Sequence, residues 1–147
     1  MQAELFFDPV CPFCWVTARW VRQVQRVRDL DVRWRFISLT MLNEGNYEGR
    51  PEGYPEAHRN GLRLLRIAAA ARHDHGESVV GPLYEAMGDR LWETPLPDEL
   101  EDVEDGFARV LAFHVQRPPY EDILDAAGLS RHLSLIHISE PTRRTPI

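Results

Sequence analysis

The sequence predicts an α/β fold: a β–α–β unit followed by an all-helical segment. Three observations predict it. An apolar run at residues 3–8 is ended by a proline. The stretch after it carries apolar residues in steps of three and four. From Asp31 the apolar residues step by two. The chain has 147 residues, of which 44% are hydrophobic and 10% aromatic, enough for one domain with a real core.

The first run, AELFFD, suits a strand buried on both faces, and Pro9 ends it. Beyond it, Phe13, Val16, Trp20, Val24 and Val27 mark one face of a helix, with Arg19, Arg22, Arg26 and Arg28 on the remaining surface. In DVRWRFISL, Val32, Trp34 and Phe36 share one face of a second strand, opposite Arg33, Arg35 and Ile37. Two strands joined through a helix read as a parallel pair.

Residues 43–55, rich in Gly, Pro and Asn, read as a loop. Helical texture begins near Pro55, with Leu62, Leu65 and Ala69 as the inward stripe and Gly76 as the C-cap. A second helix starts near Gly81-Pro82 and turns Leu83, Met87 and Leu91 inward. A third opens at Pro97-Asp98, which places the acids between Asp98 and Asp105 in a helical first turn favoured by the macrodipole. PPYEDILDAAGLSRH supplies a fourth helical piece.

The net charge of −6, with no basic block, argues against nucleic-acid binding. No apolar run reaches the ~20 residues that span a bilayer. The N-terminal residues lack the features of a secretory signal, so a cytoplasmic location is expected. All 17 basic residues are arginines, the mark of a GC-rich genome.

The only cysteines are Cys11 and Cys14, in CPFC. The motif follows a buried strand and opens a helix. Pro12 suits the first helical position, where its missing N–H costs nothing. Cys11 then sits where free N–H groups and the helix dipole stabilise a thiolate, and Cys14 lies one turn on, on the same face. Cys11 is therefore expected as nucleophile and Cys14 as resolving thiol. A zinc site needs about four ligands. No second CxxC exists and His73 and His75 fall in a separate helix end, so no metal is expected.

With these residues in view, FFDPVCPFCWVTARW, SLTMLNEG and PLYEAMGDRLW resemble the DsbA-like thioredoxin-fold oxidoreductases of actinobacteria, most narrowly the mycothiol-dependent nitroreductases. The resemblance covers about residues 3–92. Phe13 stands where that family usually has tryptophan. The resemblance implies a thioredoxin-like fold of DsbA type with a helical insertion after the second strand. It also implies no tightly bound cofactor, mycothiol or another low-molecular-weight thiol as reducing co-substrate, and a small electrophilic or disulfide substrate. Asn43 and Tyr54 match family positions near the cleft. Related isomerases and kappa-class glutathione transferases use a serine in place of the first cysteine. An isomerase or transferase on this scaffold, and a non-catalytic helical scaffold, are the alternatives.

The organisation expected is residues 1–42 as the CPFC-bearing half of a thioredoxin fold, 43–132 as loop and helical insertion, and 133–147 as a separate tail. That tail, LSLIHISEPTRRTPI, resembles a translated sequencing adapter from Leu133 to Arg143. On this reading the chain is truncated before the second half of the sheet and its cis-proline loop. As written it is expected to fold poorly and to be inactive.

Overall fold

The computed structural model describes residues 1–138, so most of the expected tail lies outside the described residues. The architecture is mixed α/β and mostly helical. Strands β1 (Gln2–Phe7) and β2 (Asp31–Phe36) form a two-stranded parallel sheet in the register Leu5↔Trp34 and Phe7↔Phe36. Helix α1 (Pro12–Val27) joins them. A one-turn helix α2 (Leu39–Leu42) follows β2, and the loop after it leads to α3 (Tyr54–His75). Helix α4 (Val80–Gly88) runs into a π-helical turn, Asp89–Glu93. Then come α5 (Gly106–His114), α6 (Tyr120–Ala126) and a closing 3₁₀ segment, Arg131–Ile138. No helix among the described residues is long and apolar enough to cross a membrane.

The sheet is covered on one face. Leu5 and Phe7 are buried, whereas Phe6 between them is exposed, which corrects the expectation of a strand buried on both sides. Tyr84 of α4 organises the covered face: it stacks on Phe7 with centroids 3.9 Å apart and meets Trp15 and Trp34 edge-on. A single apolar cluster runs from both strands through α1, α3, α4 and α6 to Leu133. Leu133, the first residue of the expected tail, is buried in it, and Ser134 beside it is buried too.

Helix α1 buries a different face from the one the apolar spacing predicts. Trp15, Ala18 and Val21 point inward, and Phe13, Val16, Trp20 and Val27 are exposed. Both faces carry apolar residues at helical spacing, and the partner decides between them. Gly88 on α4 has no side chain, and a Cβ there would collide with the Trp15 ring. The indole fills that space.

Helix α3 buries Leu64, Leu65, Ala68 and Ala71, so the inward stripe sits beside the one expected from Leu62 and Ala69. Gly76 terminates it as expected, at φ +87°. On α4 and the turn after it, Leu83, Met87 and Leu91 are inward as expected. The third helix starts at Gly106, not Pro97. Asp105 caps it through a carboxylate that accepts from the Ala108 N–H at 2.9 Å. Asp98–Leu100 forms only a 3₁₀ turn, so most of the acids lie in a loop ahead of the helix.

Candidate active site

β1 hands the chain to α1 through Asp8-Pro9-Val10. Cys11 takes the N-cap position with extended backbone, and Pro12 opens the helix as expected. The Cys11 N–H donates to the Asp8 carbonyl at 3.0 Å and closes the turn. Both cysteines are free thiols, and each is half-buried. Phe13, 81% exposed, projects beside them into solvent.

The two thiols are driven apart in acidity. The Cys14 thiol donates to the Cys11 sulfur, and the N–H groups of Cys14 and Phe13 at the helix start add to its stabilisation. Against partial burial, these lower the Cys11 pKa to about 6. Cys14 is pushed well above the ordinary thiol range, because its proton is held by Cys11, it is partly buried, and Cys11 and Asp8 place negative charge nearby.

Asp8 is the residue that sequence reasoning missed. Its side chain is fully buried. Oδ1 accepts from the Val10 N–H at 3.0 Å and Oδ2 from the Leu39 N–H at 2.8 Å, so one carboxyl ties the CPFC turn to the start of α2. Burial raises its pKa to about 7; the two backbone donors lower it, and the charge of Cys11 raises it. Gly61 of α3 admits the group, since a Cβ there would strike Oδ1. An aspartate after a strand reads as a turn residue, and nothing in the sequence marks it as buried.

The π-helical turn after α4 grips the motif from both sides. The Trp92 indole N–H donates to the Pro9 carbonyl at 2.9 Å, before the cysteines. The Trp15 indole N–H donates to Glu93 at 2.7 Å, after them, and Arg19 pairs with the same carboxylate at 2.8 Å. Trp92 rests on the buried His114 ring, with centroids 4.2 Å apart.

The remaining sequence-predicted residues lie at the ends of α2 and α3. Asn43 caps α2, donating from Nδ2 to the Leu39 carbonyl at 2.8 Å. It is thus one helical turn from the N–H that Asp8 holds. Tyr54 opens α3 and packs on His58 (4.7 Å) and Phe107 (6.2 Å). His58 in turn hydrogen-bonds the Tyr47 hydroxyl at 3.0 Å. This places Tyr54 in an aromatic cluster with His58 and Phe107. His73 and His75 sit in the last turn of α3, and no cluster of metal-ligating side chains is gathered among the described residues.

Residues 10–112 match the Rv2466c-like family, described as mycothiol-dependent nitroreductase Rv2466c. The uncharacterized protein Rv2286c of Mycobacterium tuberculosis (strain ATCC 25618 / H37Rv) is 32% identical over 88 residues. These make up 60% of this chain and 37% of that protein, so the chain spans well under two thirds of its curated relative. The family match covers more than half of the chain, and the chain belongs to the Rv2466c-like family.

Proposed function

We propose that the chain carries the dithiol centre of a cytoplasmic, mycothiol-dependent thiol–disulfide oxidoreductase with a thioredoxin-like fold of DsbA type. The observation that carries this reading is the geometry at the start of α1: Cys11 at the N-cap, Pro12 opening the helix and Cys14 one turn on, with its thiol donating to the Cys11 sulfur. The β1–α1–β2 order, with helices inserted after β2, supports the fold.

In the proposed cycle the Cys11 thiolate attacks one sulfur of an oxidised substrate. A mixed disulfide forms, and the other substrate sulfur leaves as a thiolate that takes a proton from water. Cys14 then gives its proton to the Asp8 carboxylate and attacks the Cys11 sulfur. The Cys11–substrate bond breaks, the substrate thiolate departs, and a Cys11–Cys14 disulfide remains. Two electrons have passed to the substrate. Two molecules of mycothiol, or of another low-molecular-weight thiol, return them and restore the dithiol. Disulfides and mixed disulfides are the substrate classes this cycle takes. Phe13 offers an exposed aromatic face beside the reacting sulfur, and Asn43 and Tyr54 are substrate contacts on this reading.

Turnover of a mixed disulfide with mycothiol tests the reading, in a protein that carries these residues at the length of the curated relative, since the chain as written is expected to be inactive. Cys11→Ser is expected to abolish it, and thiol-dependent turnover surviving in Cys11→Ser would overturn the assignment. Cys14→Ser separates this chemistry from a transferase on the same scaffold, which would continue without Cys14.

A further inference from the structure

Outside the cysteine site the structure holds an open cleft of about 690 Å³ between the loop before α3 and helix α5. Its apolar wall is one stripe of α5 and its C-cap, Phe107, Leu111 and Val115, at steps of four. Phe107 is 55% exposed with Tyr54 of α3 against one side of its ring, and Leu111 and Val115 are partly exposed. Gly53 forms the opposite lip at φ +86°. A Cβ there would lie 2.8 Å from Val115, so the glycine keeps the two walls together.

The rim is acidic. Glu52, Glu56 and Asp105 line it, and the loop carrying Asp98, Glu99, Glu101, Asp102 and Glu104 adjoins it. On the rim itself Glu56 is paired with Arg59 and Arg63, as Glu4 is with Arg35, Glu93 with Arg19 and Glu121 with Arg117. The loop acids are not matched among the described residues. The nearby cation, Arg109, spends its guanidinium on the loop backbone, donating to the carbonyls of Glu101 (2.7 Å) and Val103 (2.8 Å). It fixes the loop and leaves the carboxylates to solvent.

We infer that this cleft is a docking groove for a basic amphipathic helix of a protein partner, whose aliphatic anchors enter between Phe107, Leu111 and Val115 while its arginines or lysines meet the acidic rim. The spacing of the stripe matches the i, i+4 anchors of helix-in-groove recognition. The unmatched carboxylates supply the charge complementarity that selects a cationic over an anionic helix.

A fluorescent peptide of about 18 residues, with leucine on one helical face and lysine on the other, is the probe. It is titrated into the full chain beside a leucine/glutamate counterpart. The lysine peptide is expected to bind and the glutamate peptide not. Leu111→Gln, which changes no charge, is expected to weaken binding about tenfold, the scale of one lost anchor. Phe107→Gln, at a more exposed position, carries the same test if Leu111→Gln loses its helical circular dichroism. Glu101→Gln/Asp102→Asn/Glu104→Gln is expected to weaken binding, and Glu44→Gln/Glu48→Gln/Asp74→Asn, equal in charge but remote, to leave it unchanged. Absence of binding, equal binding of both peptides, affinity unmoved by both Gln variants, or equal loss in the two triple variants would each overturn the proposal.

Discussion

The Trp92 indole N–H lies 2.9 Å from the Pro9 carbonyl oxygen, joining the π-helical turn after α4 to the residue two places before Cys11. The neighbouring Glu93 holds Trp15, one residue after Cys14. One short segment therefore fixes the chain on both sides of the dithiol. π-Helical turns recur at functional sites, and here the turn has a mechanical role.

Trp92→Phe keeps most of the ring against His114 and removes the donor. It is expected to lower stability by about 1 kcal/mol, the usual net worth of such a bond, read as a drop in the denaturation midpoint at unchanged slope. A midpoint equal to that of the parent would show that the bond holds nothing.

The fit of Trp15 over α4 makes a sharp contrast between two glycines. Gly88→Ala drives a Cβ into the indole and is expected to cost about 1–3 kcal/mol. Gly106→Ala, at the first position of α5 with open space around it and no positive φ, is expected to be neutral or mildly stabilising. Thermal melts of the two variants check the pair, and equal shifts would contradict the packing described.

Three groups give stability a characteristic pH dependence. Asp8 is raised to about 7, so the folded chain keeps a proton that the unfolded chain releases near 3.8. Stability from this group falls as pH rises from about 4 to 7. His114 is lowered to about 4 by burial; the unfolded chain takes up a proton near 6.5, and stability falls as pH drops from there towards 4. Cys11, lowered to about 6, adds stability as pH rises from 6 to 9, and this is lost as pH falls through 6. In urea midpoints measured across this range, Asp8→Asn is expected to remove the first slope, His114→Gln the second and Cys11→Ser the third.

Trapping separates the cysteines by role. Cys14→Ser, treated with a mixed disulfide of a small thiol, is expected to accumulate one adduct on Cys11, seen as a single mass increment that persists. The parent chain is expected to clear that adduct and retain an internal disulfide. An adduct of equal lifetime in both would remove Cys14 from the resolving step.

The place of CPFC was legible in the sequence because a strand, a proline and a helix start are local signals. The boundaries of α3 were legible too, since Gly76 marks one end and Pro55 the other. What the sequence hid depends on partners distant in the chain. The stripe from Phe13 to Val27 points to the wrong face of α1, because the face of Trp15, Ala18 and Val21 is selected by Gly88 making room for Trp15. Pro97-Asp98 imitates a helix start, yet the capping carboxylate is that of Asp105. Asp8 looks like an ordinary turn residue, and only α3 and α2 closing over it make it a buried acid. The grip of Trp92 on Pro9 spans 83 residues and has no sequence period.

The most direct test of the dithiol assignment is the rate of iodoacetamide alkylation at each cysteine, followed by peptide mass spectrometry from pH 4 to 10. Cys11 is expected to react with a midpoint near pH 6, while Cys14 stays unreacted far above it. Alkylation of both cysteines together, with a common midpoint at the ~8.5 of an ordinary thiol, would contradict the central claim.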